Sequence, residues 1–318
     1  VNSKIHNEGI VYIEESASII QTTEGPDMNT GNGVFYSKRT GLNSQYGYNN
    51  WSSPMKHSAL DSVFPDVNYC DLLTYDEYRQ DWSYDFYAGF TANCNGNSVT
   101  FTTGHSIAGG DGYMDITRGY FITGNTTNPQ KTFKGQINNG DIRTTVVATE
   151  YGDNTNWDDD DWNFVGNPYP SALDPYAFWQ ENAIDNNRIT DALYFWDEAD
   201  TAGGYNQTSD YASWSAGGAV ESGNSNELPL GAVASGQGFW VVANTSTDVV
   251  FKNSMRVSSN SQFFKSSQAP TNHNAWFRFE SPSNYKNNIL VGYNANSTDS
   301  IDQGYDAHKL VGNGHVRF

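Results

Sequence analysis

Basic residues are scarce. Lys and Arg together number 17 against 36 Asp and Glu, a formal net charge of −19 over 318 residues. Such a chain repels a phosphate backbone, which excludes nucleic-acid binding. An anionic membrane surface is excluded on the same ground. Cysteine is nearly missing, with Cys70 and Cys94 alone. The 6 histidines never fall in the HExxH spacing of a zinc protease. No apolar run is long enough for a membrane-spanning helix, and none has the layout of a signal peptide. Strong helix formers are too few for a bundle. No strand–helix–strand rhythm appears, which excludes a parallel α/β sheet.

The chain is filled instead by aromatic and small polar residues: 20 Tyr, 17 Phe and 9 Trp, among many Asn, Ser, Thr, Gly and Asp. This is the profile of an extracellular β-protein rich in turns. In that setting the two cysteines predict a Cys70–Cys94 disulfide, stabilising by about 3 kcal/mol in the chain-entropy model. The alternative is a pair of buried thiols.

Strand-like runs recur from residue 33 onward: 33–39, 50–53, 98–103, 119–122, 130–134, 144–149, 192–196, 238–243, 248–253, 275–280 and 288–293. Asn32-Gly33, Asn139-Gly140 and Asn313-Gly314 mark turns. Residues 58–89 and 199–231 read as long loops, the first with a helical turn at 75–81. The expected fold class is all-β: a mostly antiparallel β-sandwich with one short helix. Residues 1–40 differ, being short strands broken by Asn-Gly-like turns. They read as a β-solenoid-like rung or cap, the alternative being two ordinary edge strands. Residues 41–311 then form the sandwich module, and 312–318 begin a following domain. The abrupt strand-like opening fits a piece of a longer secreted protein.

The organising stretch is Trp162-Asn163-Phe164-Val165-Gly166-Asn167-Pro168-Tyr169-Pro170-Ser171. A strand must end there, because two prolines fix φ and remove two donors. Asp174-Pro175 comes next as an N-cap and first-turn pair, opening a short helix over 176–182.

Catalytic strings fail on context. Gly104-His105-Ser106-Ile107-Ala108 imitates a nucleophile elbow, but a Gly-rich loop comes after it where a helix is needed. With 36 acids, carboxylate pairs arise by chance, so a glycosidase pair is not specified. The sharpest charged feature is the acidic run at 158–161 after Trp157. Its hard oxygen donors suit Ca²⁺, with Asp158 and Asp160 as candidate ligands, against the plainer reading of a solvated acidic turn. No other cofactor is expected. Trp157 and Trp214 are candidate platforms for stacking a sugar ring.

The order of several strings resembles a known module. They are Asn50-Trp51-Ser52-Ser53-Pro54, Thr117-Arg118-Gly119-Tyr120, Phe133-Lys134-Gly135-Gln136-Ile137-Asn138-Asn139-Gly140 and the organising stretch. Then come Leu193-Tyr194-Phe195-Trp196, Ser235-Gly236-Gln237-Gly238-Phe239-Trp240-Val241, Phe251-Lys252-Asn253-Ser254-Met255-Arg256 and Gly304-Tyr305-Asp306-Ala307. Together they resemble the large β-rich module of surface proteins exported by the type IX secretion system of gliding Gram-negative bacteria and their relatives. The resemblance implies export, a cell-surface location and modular context, and carries over no catalytic residue. Its partners would be other modules of the same polypeptide, the export machinery, and glycans or further copies. It also implies O-glycosylation at Asp-Ser/Thr sites, here Ser62, Thr201 and Ser300. The expected function is that of a non-enzymatic structural or adhesive segment. The alternatives are a carbohydrate-binding module and, behind it, a glycoside hydrolase.

Overall fold

The computed structural model describes residues 4–41, 47–65, 67, 71–83, 91–94, 97–100, 112–124, 127–149, 161–197, 211–222, 228–229, 231–258, 274–280, 286–293, 297–300, 302 and 306–307. Its strands run β1 Ile10–Ile13, β2 Val34–Thr40, β3 Tyr48–Trp51, β4 Met55–Lys56, β5 Leu72–Asp76, β6 Asp81–Ser83, β7 Thr91–Cys94 and β8 Asn97–Thr100. Next are β9 Tyr120–Thr123, β10 Gln130–Ile137, β11 Ile142–Val146, β12 Trp162–Gly166, β13 Ala172–Leu173, β14 Ala192–Trp196 and β15 Tyr211–Ser215. The last are β16 Gly218–Val220, β17 Gly238–Val242, β18 Thr247–Phe251, β19 Arg256–Val257, β20 Asn274–Glu280 and β21 Lys286–Gly292. The chain is an all-β, sandwich-like protein in which antiparallel pairing dominates.

Three sheets stack. The first has the order β1-β2-β10-β4, the second β3-β9-β5-β6 and the third β12-β17-β14-β15-β16. Alternation along the strands explains why the second sheet lies in the middle. Trp51, Tyr120 and Ile122 turn one way and pack with Ile13, Phe35 and Phe133 of the first sheet. Tyr48 and Phe121 turn the other way and pack with Trp162, Phe164, Tyr194, Trp196 and Trp240 of the third. The opposite face of the third sheet, with Val165, Leu193, Phe195, Phe239 and Val241, is covered by Phe178 and Trp179 and by Val249 and Phe251 of β18. With both faces covered, β3, β12, β14 and β17 are buried at every position.

The helix forms where Asp174-Pro175 predicts it. Helix α1 at Leu60–Val63 is a single turn, whereas α2 at Pro175–Trp179 continues through a π-helical turn to Ile184. The Asp174 carboxylate accepts from the Tyr176 amide (2.9 Å), satisfying one orphan donor of the first turn.

The two expected loops contain sheet. Residues 75–81 are not helical: β5 and β6 form a hairpin there, turned at Gln80, whose φ is 52°. Residues 211–220 hold β15 and β16, the outer strands of the third sheet. Residues 4–40 make one parallel coil. Ile10–Ile13 pair with Val34–Ser37, and His6 bridges Thr30, each pair 24 residues apart. On the far side, β10 pairs with β2 antiparallel.

Candidate functional site

The elbow after β12 is densely hydrogen-bonded. Gly166 is required there by space, since its φ is not among the positive ones. A β-carbon on Gly166 would collide with the Ser52 side chain and press on the Arg118 carbonyl. Asn167, fully buried, organises the turn beyond it. Its amide nitrogen donates to the carbonyls of Ser171 (2.9 Å), Ala234 (3.1 Å) and Val233 (3.2 Å). Its Oδ1 accepts from the Tyr169 amide at 3.0 Å. One side chain thus ties backbone groups of the elbow to residues 233 and 234, whose carbonyls also accept from the Leu173 and Gln237 amides. Asn138 adds a bond to the Pro168 carbonyl (2.6 Å), and Ser235 one to the Tyr169 carbonyl (2.9 Å).

The elbow also anchors the N-terminal coil. The Tyr169 hydroxyl donates to the Gly140 carbonyl (2.6 Å), and the Arg256 guanidinium lies over its ring at 4.6 Å. Arg256 donates to Ser171 Oγ (3.2 Å), to Asn253 Oδ1 (2.9 Å) and to the Ile19 carbonyl. Asn253 donates to the Thr23 carbonyl (2.6 Å), and the Glu24 carboxylate accepts from the amides of Asn253 (3.1 Å) and Ser254 (2.6 Å). Burial lowers the Arg256 pKa to about 10, with Tyr169, Asp27 and Glu24 opposing. The same burial pushes the Tyr169 hydroxyl up. The cluster therefore works as a clasp between residues 19–25 and the sandwich.

A second cluster is the aromatic layer between the middle and third sheets. Phe164 and Trp240 stack at 4.4 Å with planes 5° apart, and Tyr48 stacks on Phe121 at 4.2 Å. Tyr75 meets Trp240 edge-on at 4.8 Å, and Trp82 sits at the rim against both Phe121 and Trp240. Beside it, Arg118 donates to the Tyr75 carbonyl (2.8 Å) and to Glu77 (3.1 Å). Burial nevertheless raises the Glu77 pKa, outweighing the attraction of Arg118.

Amide side chains act as substitute backbone at three places. Gln80 accepts from the Trp162 amide (2.8 Å) and donates to the Trp162 carbonyl (3.1 Å). Asn163 does the same for Val147 (2.8 and 3.0 Å), and Asn182 for Val250 (2.8 and 2.9 Å). Each extends a ladder past its last strand neighbour.

The residues singled out in the sequence are not brought together. Trp214 is not a surface platform: it stands on β15, only 8 % exposed, edge-on to Trp179 in the core. Its strand alternates inward there, which its Ser- and Gly-rich setting concealed. Trp157, Asp158, Asp160, Ser106, Cys70 and Thr201 lie outside the described residues. Cys94 closes β7 opposite Asn97 of β8. Ser62 is exposed on α1, and Ser300 is exposed at a bend. Among the described residues, no group of three or more His, Cys, Asp or Glu is placed to hold a metal. Sequence reasoning missed Asn167, Arg256 and Asn253 as a unit, although the strings that carry them were visible.

One family model matches residues 1–318, that of a family described as a domain of unknown function (DUF8693). No curated protein and no solved structure matches the chain.

Proposed function

Starting from the DUF8693 family, to which the chain belongs over its whole length, we propose that it is a non-enzymatic structural or adhesive module of an extracellular, multidomain cell-surface protein. The observation that carries the reading is the use of its buried polar side chains. Asn138, Asn163, Asn167, Asn182, Asn253 and Arg256 bind backbone carbonyls and one another. They bind chain to chain and hold the fold rigid, as a segment that transmits tension or presents a surface needs.

The resemblance to modules exported by the type IX system supports the surface location. The acidic, aromatic and turn-rich composition agrees with an extracellular setting. A Cys70–Cys94 bridge, Ca²⁺ at Asp158 and Asp160, and glycans on Ser62, Thr201 or Ser300 belong to the same proposal. The exposure of Ser62 and Ser300 leaves both accessible to a transferase.

The test pairs attachment and surface-structure assays on cells lacking this module with a panel of polysaccharide, peptide and ester substrates. Loss of attachment or of a surface structure, with no turnover by the purified chain, is the expected outcome. Turnover that disappears on mutating one carboxylate pair would overturn the proposal.

A further inference from the structure

We propose that the outer edge of β1 is a docking edge for a further strand running parallel to it, supplied by a coil of the same 24-residue period in a neighbouring module of the same polypeptide. The proposal rests on the modular surface-protein reading above. Its structural basis is the asymmetry of the N-terminal coil.

The Val34 amide donates to the Gly9 carbonyl (2.8 Å), and Ile10 pairs with Val34. In a parallel ladder this register turns the odd residues of β1 toward β2 and leaves the N–H and C=O of Ile10 and Tyr12 pointing outward. His6 has the same phase, because the Thr30 amide donates to Ile5 and the Asn7 amide to Thr30. Among the described residues, no strand pairs with β1 on that side. The side chains beside these groups are apolar: Ile10 is 63 % exposed and Tyr12 60 %. Besides being kept very short, as the four residues of β1 are, edge strands that must stay single are blunted by lysine, proline or a bulge. Neither Ile10 nor Tyr12 is of that kind.

The ladder already present points to the occupant. Tyr12 stacks on Tyr36 at 5.1 Å, one coil apart, and Lys38 stands 5.9 Å from the Tyr12 ring. A strand of equal period places a side chain on the open side of the Tyr12 ring and repeats that column. The antiparallel β10 closes the column at the other end, so it grows in one direction only. A second copy fits poorly. Edge-to-edge pairing of two such short strands buries far less than the roughly 1,000 Å² a specific dimer needs. A neighbouring module held by the same backbone avoids that association cost.

The experiment is amide hydrogen exchange on the 318-residue chain and on the natural full-length protein. In the shorter chain, Ile10 and Tyr12 exchange fast while Val11 and Ile13 are protected. In the full-length protein, Ile10 and Tyr12 slow by at least about tenfold. Equal, fast exchange in both overturns the proposal. So does protection in the isolated chain that rises with concentration, which would make the occupant a second copy.

Ile10→Pro removes one outward donor without touching the ladder to β2. It is expected to abolish the protection at Tyr12 in the full-length protein and to leave the protection of β2, read at Tyr36, unchanged. If Tyr36 loses protection too, Tyr12→Lys serves as the second variant, and unaltered protection at Ile10 with that variant counts against docking. Loss of the attachment phenotype is read separately, so failure of the surface-module reading is distinguishable from failure of the docking edge.

Discussion

Two residues of the elbow behave differently from what their chemistry alone suggests. Glycine usually marks a left-handed backbone, but Gly166 is needed because Ser52 and the Arg118 carbonyl approach its α-carbon. Gly166→Val should therefore destabilise by about 2–3 kcal/mol through overpacking, read as a lower denaturant midpoint. Asn167→Ala removes a donor to the Ser171 carbonyl and the acceptor for the Tyr169 amide, and weakens the Val233 and Ala234 carbonyls, which keep the Leu173 and Gln237 amides as donors. Unsatisfied buried groups make this change cost about 3 kcal/mol or more. Asn167→Asp should not rescue it, because a carboxylate cannot donate to those carbonyls. Chemical denaturation of the two variants side by side checks both statements.

At the scale of elements, the clasp at Asn253 and Arg256 holds a segment that has no strand of its own. Asn253→Ala should loosen residues 19–25 first, because the Thr23 carbonyl and the Arg256 guanidinium each lose a partner. Limited proteolysis should then cut within that segment before the three sheets unfold, and unchanged cleavage would refute the clasp.

Strands with strong β-propensity, such as β14 and β17, are legible in the sequence to within a residue or so, as is the Asp174 cap. Features that depend on distant partners are not. The hairpin of β5 and β6 is fixed by Gln80, whose amide serves Trp162, 82 residues away. Nothing in the local run of Tyr, Asp and Glu announces that. β15 looks like loop because Gly and Ser surround it, and only its place beside β14 buries Trp214. The short strand Ile10–Ile13 is readable from its own apolar run. The clasp is not, because it joins Thr23 to Asn253, 230 positions apart.

For the whole molecule, cohesion between the middle and third sheets depends on the aromatic layer. Trp240 touches Phe164, Tyr75, Trp82 and Tyr211. Trp240→Ala should cost about 3–5 kcal/mol, measured by thermal or denaturant unfolding.

One acid-sensitive group lies in the same region. Glu77 has a folded pKa above its unfolded value, because burial disfavours its charge more than Arg118 supports it. Between those two values the folded state binds the extra proton, so this group adds stability as pH falls into that window and loses it as pH rises through the folded pKa. Glu77→Gln should remove this contribution, flattening the change in unfolding midpoint as pH is lowered from neutrality toward the unfolded carboxylate value, relative to the parent. An identical pH profile in the two proteins would contradict it.

The parallel pairing of β1 with β2 has a mechanical consequence. Tension entering at the start of β1 and leaving past the end of β2 runs along both strands in opposite senses. It loads all four residue pairs in shear, so they must fail together. The antiparallel hairpin of β20 and β21, pulled apart at its open end, would peel one pair at a time from Asn274 and Gly292 toward Glu280 and Lys286. Under traction the chain would therefore yield at its C-terminal hairpin while the N-terminal coil keeps its grip.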